Sequence, residues 1–302
     1  MNIIGYRKLW YTISAILVIP GIIALFLWGL KPGIDFSGGT LMEIQFTKSD
    51  VSVEQVRDSL KDLSLRNLVV QPSGNSNFLL RTEQINQETH TKVNESLAKI
   101  GESQELRFDT VGPTVSNDLK NKAIIALIMA SLAIIIYIAI AFRQVPRPVN
   151  SWRFGVCAVL ALVHDLAFVT GLFAILGHFY GYEIDSLFIT ALLTIMGFSV
   201  HDTIVVFDRI RENLRKHPSV DFETNVNDSI LQTLNRSLNT SLTVLIVLAC
   251  LYFLGGESLK QFILALLVGI AIGTYSSIFN ASQLLVSWQG WINTRLLRKT
   301  AS

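Results

Sequence analysis

The stretch FGVCAVLALVHDLAFVTGLFAILG, residues 154–177, is apolar along its whole length except for a His–Asp pair near its centre. Crossing about 30 Å of hydrocarbon takes roughly 20 helical residues, so this run is long enough to span a bilayer. A second His–Asp pair lies in the next apolar run, in SVHDTIVV at residues 199–206. The two runs therefore predict a membrane protein that carries ionisable groups inside its spans.

The composition agrees with that class. Half of the 302 residues are hydrophobic and only 16% are charged, which is far more apolar than an ordinary soluble domain. Cys157 and Cys250 lie in apolar runs without CxxC spacing, so they indicate neither a disulfide framework nor a metal site. The first apolar run follows Arg7 and Lys8 but lacks a small-residue cleavage pattern, so we interpret it as a retained anchor.

Charge placement predicts the topology of six spans. The candidate spans are residues 9–30, 121–142, 154–177, 186–207, 236–255 and 262–288. Lysine and arginine are concentrated on one side of them: Arg7, Lys8, Arg143, Arg147, Arg153, Arg209, Arg211, Arg215, Lys216, Arg295, Arg298 and Lys299. The short loops on the other side, HFYGYEID and GGESLKQ, contain a single lysine or arginine, Lys260. The positive-inside rule then predicts that both termini are cytoplasmic.

The residues between the first two spans predict a small extracytoplasmic domain. Met42, Ile44 and Phe46 alternate with polar residues as in a half-buried strand, and a helical pattern follows Ser52. LVVQ and NFLLR flank the turn sequence PSGNS, a second helix covers residues 86–100, and ELRFDTV is a last strand. The order β-α-β-β-α-β predicts a ferredoxin-like α+β fold. We thus expect four parts: residues 1–30 with the first span, 31–120 as this domain, 121–288 as the remaining five spans, and 289–302 as a cytoplasmic tail.

Three charged residues are predicted to lie deep in the spans. Asp165 is about eleven residues into the third span, near mid-membrane, and Asp202 is about sixteen residues into the fourth. The apolar part of the fifth span is too short to cross a bilayer unless the helix begins near Arg236. Counting from the outer end puts Arg236 within one turn of the depth of Asp202, so the two side chains are expected to meet across neighbouring helices.

Two interpretations of these charges stay open on the residues alone. An Asp–Arg pair is either a structural clamp or a proton or sodium relay whose ion affinity depends on the distance between Asp202 and Arg236. His164 and His201 are interpreted first as packing residues that donate to backbone carbonyls, with a relay role as the alternative. Asp208 is expected in a solvated charge run at the interface, again with a relay role as the alternative. Gly269 and Gly273 form GxxxG, which is typical of close helix packing.

Five motifs, taken in order, resemble the SecF family of the bacterial protein-export system. They are GIDFSGGT (33–40), VGPTVS (111–116), VHDTIVVFDRIREN (200–213), TLNRSLNTS (233–241) and GGESLKQF (255–262). The resemblance covers nearly the whole chain and places it in the resistance-nodulation-division superfamily. Relatives often carry Asn where this chain has His201, so a histidine relay is not a family requirement.

The resemblance implies a function and partners. It implies a subunit that works with SecD, often with YajC, beside the SecYEG channel and the SecA motor, on unfolded preproteins. The implied activity is to use the proton or sodium motive force to assist late export across the bacterial inner membrane, with the thylakoid membrane as an alternative location. Asp202 and Arg236 would be the ion-coupling residues, working with a carboxylate on SecD, and Asp165 is a further candidate because of its mid-membrane depth. Gly33, Asp35, Phe36, Gly38 and Gly39 form the signature loop, for which we expect a structural or gating role.

Other function classes are less compatible with the sequence. A self-contained small-molecule exporter of the same superfamily would need two six-span halves, and a non-transporting scaffold would use the charges only to hold helices. No nucleophile–base arrangement, metal-ligand spacing or nucleic-acid motif is present, so we expect no enzyme, no cofactor, no metal and no nucleic-acid partner. Besides the protein partners, we expect membrane lipid to surround the spans.

Overall fold

The chain folds into two units. The computed structural model describes residues 2–47, 50–73, 76–143 and 150–300, and the side chains of all of these except residues 257 and 295–300. One unit combines Met1–Lys31 with Ala126–Ser302, and the other is Pro32–Ile125. Arg147 and the side chains of Arg295, Arg298 and Lys299, which entered the topology prediction, lie outside the described residues and side chains.

Ten helices and four strands lie in the described ranges. The helices are α1 (Arg7–Leu27), α2 (Ile34–Ser37), α3 (Val53–Ser59), α4 (Gln87–Ala98), α5 (Pro113–Ala141), α6 (Ser151–Tyr180), α7 (Ser186–Lys216), α8 (Phe222–Leu254), α9 (Lys260–Ser276) and α10 (Ser282–Thr300). The strands are β1 (Gly39–Phe46), β2 (Val69–Pro72), β3 (Asn77–Thr82) and β4 (Ser103–Val111).

The prediction of six membrane-spanning helices is confirmed. Six helical segments of the described chain are long and apolar enough to cross a membrane, so the chain is a multi-pass membrane protein. The first residues of α1 and α8 lie at the same end of the bundle, which we call the terminal end. Arg7 forms a 3.2 Å ion pair with Glu223 there.

Several helices extend further than their apolar runs predicted, α7 and α8 among them. α7 continues to Lys216, and α8 begins at Phe222 rather than at residue 236. The Asp221 side chain caps α8 by accepting a hydrogen bond from the Thr224 backbone N–H. Asn213 Nδ2 donates to Ser229 Oγ over 2.8 Å and joins the two extensions. Apolar length underestimated these helices because polar side chains stabilise them beyond the hydrocarbon.

The last span is not a uniform α-helix. A π-helical turn, Ser277–Ala281, separates α9 from α10 within one continuous span. The Ser277 hydroxyl lies 2.8 Å from the carbonyl oxygen of Gly273 and 3.1 Å from that of Ser199. The turn therefore presents polar groups to α7 at the middle of the bundle, and such turns often occur at functional sites.

Small residues allow close helix contacts in the bundle. A Cβ atom built on Gly171 of α6 would lie only 2.5 Å from the Cα atom of Gly21 in α1. A Cβ on Gly269 of α9 would collide with the Ile195 side chain of α7. At the first crossing the two backbones touch, and at the second the Ile195 side chain occupies the space that a larger residue would need.

The second unit has the predicted ferredoxin-like fold. Its sheet order is β2-β3-β1-β4, and all neighbouring strands are antiparallel. Met42, Ile44 and Phe46 face its core together with Val56 of α3 and Val93 of α4. The helix predicted after Ser52 is α3, which Ser52 caps in a capping box with Gln55. β2 pairs with β3 on either side of PSGNS, although residues 74 and 75 of that turn lie outside the described residues.

Candidate functional site

Asp165 is the most buried carboxylate in the bundle. Its side chain is completely buried on α6 and accepts three hydrogen bonds. Ser199 Oγ of α7 and Ser276 Oγ of α9 donate to Oδ2 over 2.5 and 2.7 Å. His164 Nδ1 lies 3.0 Å from Oδ1. Asp165 therefore connects three helices through hydroxyl and imidazole donors.

His164 extends this network to α1. Its Nε2 lies 3.2 Å from Asn280 Nδ2, so the amide donates to Nε2 and the Nδ1–H of the ring donates to Asp165. The Asn280 Oδ1 atom accepts a 2.9 Å hydrogen bond from the hydroxyl of Ser14 in α1. The expectation that His164 donates to a backbone carbonyl was wrong, because Asp165 and Asn280 occupy both ring nitrogens.

Asp202 lies in a second cluster of hydroxyl groups. Its Oδ2 atom is 3.3 Å from Ser241 Oγ of α8 and 3.3 Å from Thr274 Oγ1 of α9. Those two hydroxyls are 2.6 Å from each other, so one can donate to the other while the other donates to the carboxylate. Asp202 is buried on α7 and thus connects α7, α8 and α9.

A further pair of hydroxyl groups lies beside Ser199, the residue that donates to Asp165. Thr203 Oγ1 and Ser277 Oγ are 2.9 Å apart, and each also lies within hydrogen-bond distance of the Ser199 carbonyl. A Cβ atom on Gly273 would lie 3.1 Å from Ser199 Cβ and 3.7 Å from Asp165 Oδ2. Gly273 therefore lets α9 come close enough to α7 for its serines to reach the carboxylate.

Neither carboxylate is paired with lysine or arginine in the described part of the chain. Donors to both are hydroxyls, with one imidazole at Asp165. An isolated ionised carboxylate in an apolar interior costs several kcal/mol, and neutral donors recover only part of this. This arrangement suits carboxylates that bind and release a cation.

The expected contact between Asp202 and Arg236 is not formed in this structure. Arg236 is exposed on α8, about 100° around the helix from the buried Ser237. Ser241, not Arg236, lies beside Asp202, and the five-position offset from Arg236 to Ser241 corresponds to about 7.5 Å of rise. The depth estimate failed because it counted from the ends of the apolar run, which do not fix the register of neighbouring helices.

The other ionisable candidates lie on the surface of this unit. His201 is exposed although it directly precedes Asp202. Asp208 is exposed and forms a 2.5 Å ion pair with Arg211 one turn later. Glu212 is paired in the same way with Arg209 and Lys216. This part of α7 is a solvated run of paired charges.

Comparisons with known proteins give the family. The family described as protein export membrane protein SecD/SecF, C-terminal, matches residues 91–291, and the SecD/SecF GG motif matches residues 23–50. The protein translocase subunit SecF of Thermobaculum terrenum is 48% identical, over 99% of this chain and 98% of the relative. The chain belongs to the SecF family.

Two further relatives agree with this membership. The SecF subunit of Anaerolinea thermophila is 42% identical over 97% of this chain and 96% of the relative. The crystal structure of SecDF from Thermus thermophilus, described as a translocon-associated membrane protein, superposes with a TM-score of 0.84 at 34% identity. This chain covers 39% of that longer SecDF chain, and 96% of this chain is matched.

The SecF signature loop lies in the second unit. Gly33 precedes the short helix α2, which contains Asp35 and Phe36, and Gly38 and Gly39 follow it with φ angles of +72° and +122°. A Cβ atom on Gly39 would lie 2.6 Å from the Thr82 carbonyl oxygen, so only glycine fits there.

Arg81 holds this loop against the sheet. It donates to the Pro32 carbonyl over 2.8 Å and to Ser37 Oγ over 3.0 Å. The loop is therefore fixed to β3 at both ends of α2.

Sequence reasoning missed the groups that surround the carboxylates in this SecF-family chain. Ser199, Ser241, Thr274, Ser276 and Asn280 were not singled out, although all but Ser199 lie in stretches with several polar residues in an apolar span. The run GTYSSIFN at residues 273–280 carried the clearest signal, because its polar side chains recur at helical spacing. No cluster of three or more metal-ligating His, Cys, Asp or Glu side chains occurs among the residues described.

Proposed function

We propose that this chain is the ion-coupling SecF subunit of a Sec translocase, which uses the proton or sodium motive force together with SecD to assist late protein export. The observation that carries the proposal is the pair of buried carboxylates, each bonded to hydroxyls from neighbouring helices. The translocase names of the relatives support the export role.

The geometry supports a simple coupling step. When Asp165 or Asp202 takes up a proton, the carboxylate becomes a weaker acceptor and gains an O–H donor of its own. The Ser199, Ser276, Ser241 and Thr274 hydroxyls must then reorient, which changes the free energy of contact between α7 and its neighbours α6, α8 and α9. A proton moving through 100 mV releases about 2.3 kcal/mol, enough to shift such a two-state packing by a factor of roughly 50.

The same oxygen atoms are compatible with sodium. Carboxylate, hydroxyl and carbonyl oxygens are ligands that hard cations prefer, and the Ser199 carbonyl accepts hydrogen bonds from Thr203 and Ser277 close to Asp165. The proposal therefore covers both ions, and dependence of export on the imposed gradient would identify the one used.

The proposed assembly follows from the family membership of the chain. We expect SecD as the direct partner, because a single SecDF chain in a relative includes the counterpart of this one. YajC, SecYEG, SecA and an unfolded preprotein are the further proposed partners. Both termini are proposed to be cytoplasmic in a bacterial inner membrane or a thylakoid membrane, and no enzymatic activity or cofactor is proposed.

The test is preprotein import into inverted vesicles that contain this chain, SecD, SecYEG and SecA. Asp165→Asn and Asp202→Asn would be compared with the unchanged chain, with and without an ion gradient at fixed ATP. Both variants should assemble and keep the ATP-driven part of import while losing most of the gradient-dependent part, because asparagine can neither take up a proton nor carry the charge.

Asp208→Asn is the matched control, since Asp208 is an exposed carboxylate on the same helix as Asp202. It should keep the gradient response. A scaffold role, favoured by the way Asp165 joins three helices, predicts instead that the two buried variants fail to assemble with SecD. Assembled Asp165→Asn and Asp202→Asn complexes with a full gradient response would refute ion coupling at these residues.

A further inference from the structure

Three buried oxygen atoms lie between the Asp202 cluster and the terminal end of the bundle. They are Ser237 Oγ, Ser282 Oγ and Gln283 Oε1, and none has a hydrogen-bond partner in the described part of the chain. Their residues are 2%, 0% and 0% exposed. Buried polar groups nearly always have a partner, and ordered water is the usual one when protein supplies none.

The two serines differ from other hydroxyls of these helices. Ser229, Thr233 and Thr274 each donate to the carbonyl of their own helix four residues earlier. Ser237 and Ser282 make no such bond in the described structure, although helical geometry offers it to any serine. Their hydroxyls are thus available to a ligand between the helices.

The three groups follow one another along the bundle axis. Ser237 is one turn from Ser241, about 6 Å closer to the terminal end. Ser282 is eight residues beyond Thr274, or about 12 Å in the same direction, and Gln283 follows it. Because Ser241 and Thr274 both contact Asp202, the three oxygens all lie on the terminal side of that carboxylate, and we call them the series.

The series ends at a short segment, residues 3–6. Gln283 Nε2 donates to the Ile3 carbonyl over 3.2 Å. The Ile3 backbone is held at two more points, through its N–H to Asn227 Oδ1 over 2.8 Å and through its carbonyl to Trp10 Nε1 over 3.1 Å.

The side chains of residues 3–6 place apolar surface at the terminal side of the series. Ile3 and Ile4 are 1% and 2% exposed and belong to the same apolar cluster as Ile230 and Leu285. Two isoleucines and a few hydrogen bonds are a small barrier compared with a helix–helix interface. A rearrangement of residues 3–6 could therefore admit water without moving the bundle helices.

We propose that Ser237, Ser282 and Gln283 are water-binding groups of an ion-access path from the terminal end to Asp202, and that residues 3–6 are its gate. This inference rests on the proposed ion-coupling function. It assigns to residues 3–6 the control of water entry. Hydronium or a hydrated sodium ion would enter along the same path as the water.

The test is the reactivity of Ser237→Cys toward 2-aminoethyl methanethiosulfonate, a small cationic thiol reagent, in vesicles holding the full chain and SecD. Cys157 and Cys250 would be replaced by alanine. With residues 3–6 unchanged, Ser237→Cys should react slowly. Ile3→Ala combined with Ile4→Ala should accelerate the reaction several-fold, and so should Trp10→Phe, which removes the indole N–H bond to Ile3 and part of the ring that stacks on Phe279.

Two controls separate gating from general loosening. Leu248→Cys is buried on the same helix away from the path and should stay unreactive in every background, while Ile16→Ala, an exposed change in α1, should not accelerate Ser237→Cys. Ser237→Cys that reacts no faster than Leu248→Cys in both gate variants would overturn the proposal. So would fast reaction with residues 3–6 unchanged.

The labelling needs neither a gradient nor a preprotein, so the two proposals can fail separately. Unreactive Ser237→Cys overturns the access path even if Asp202→Asn abolishes gradient-driven import. Gated labelling beside an Asp202→Asn complex that keeps its gradient response supports the water path and overturns its assignment to the coupled ion.

Discussion

Asp165 shows, at the scale of single residues, how a carboxylate is accommodated inside a span. Three donors surround it, and hydrogen bonds to a charged group are worth about 1.5–3 kcal/mol each. Two of the donors are serines on different helices, so the site holds α7 and α9 against α6 only while the carboxylate can accept from both. This dependence couples the state of one side chain to the packing of three helices.

Ser276→Ala tests that dependence. Removing the 2.7 Å donor should lower the free energy of unfolding by about 1–3 kcal/mol and reduce gradient-dependent import, because Asp165 loses one of its three donors. Thermal unfolding of the purified complex and the vesicle import assay measure the two effects. Ser131→Ala is the control, since that hydroxyl donates only to the Leu127 carbonyl of its own helix, and equal behaviour of both variants would contradict the prediction.

The sequence marked the carboxylates of the site but not their partners. Asp165 and Asp202 stand out because an ionisable side chain is costly in an apolar run and is rare there without a functional role. Ser199 and Ser276 do not stand out, because serine is common in membrane helices. Whether a serine hydroxyl donates to a carboxylate depends on which helix lies opposite it. The wrong pairing of Asp202 with Arg236 has the same origin, because sequence gives depth along one helix but not rotation between two.

At the scale of elements, glycine contacts set how closely the helices pack. Gly21 and Gly171 bring α1 and α6 together, backbone against backbone. Gly269 and Gly273 do the same for α9 and α7, and this second contact carries Ser276 to Asp165. The packing of the helices and the geometry of the site thus depend on the same small residues.

Gly171→Ala should destabilise the bundle. The new methyl group would lie 2.5 Å from Gly21 Cα, and overpacking of this kind costs about 1–3 kcal/mol. Gly197→Ala is the matched control on α7, where a Cβ atom meets nothing within 4 Å; it should be neutral or stabilise the helix by up to about 1 kcal/mol. Unfolding temperatures in detergent measure both, and effects of the same sign would refute this account of the α1–α6 contact.

The number and order of the helices and strands could be predicted from the sequence more completely than the residues at which they begin and end. Apolar length identified all six spans, and alternation identified β1 and the order of the small domain. The polar extension of α8 back to Phe222 could not be found by apolar length, because caps and contacts between side chains stabilise it. The π-helical turn Ser277–Ala281 depends on contacts with α7 and has no signal in a local pattern.

At the scale of the whole molecule, the exposed polar face of α8 indicates a missing neighbour. Arg236, Asn239 and Thr243 are exposed in the part of α8 that the apolar run places in the membrane. Asn239 and Thr243 lie inside the predicted span and Arg236 lies at its inner end, where exposure of arginine to lipid costs less than the roughly 2.5–3.5 kcal/mol that applies at the helix centre. A protein partner that covers this face would remove that cost, and SecD is the partner that the family supports.

Arg236→Cys should therefore be protected by SecD. We expect N-ethylmaleimide to label it readily in the chain purified alone and several times more slowly in the complex, because helices of the partner would cover this face. Leu238→Cys is the control: it is exposed on the same helix but lies about 160° away from Arg236, so its labelling should not change. Equal labelling of Arg236→Cys with and without SecD would mean that the partner binds another face. In that case Arg236 would have to find its counter-charge within this chain, in a second packing of α8 that brings it to Asp202.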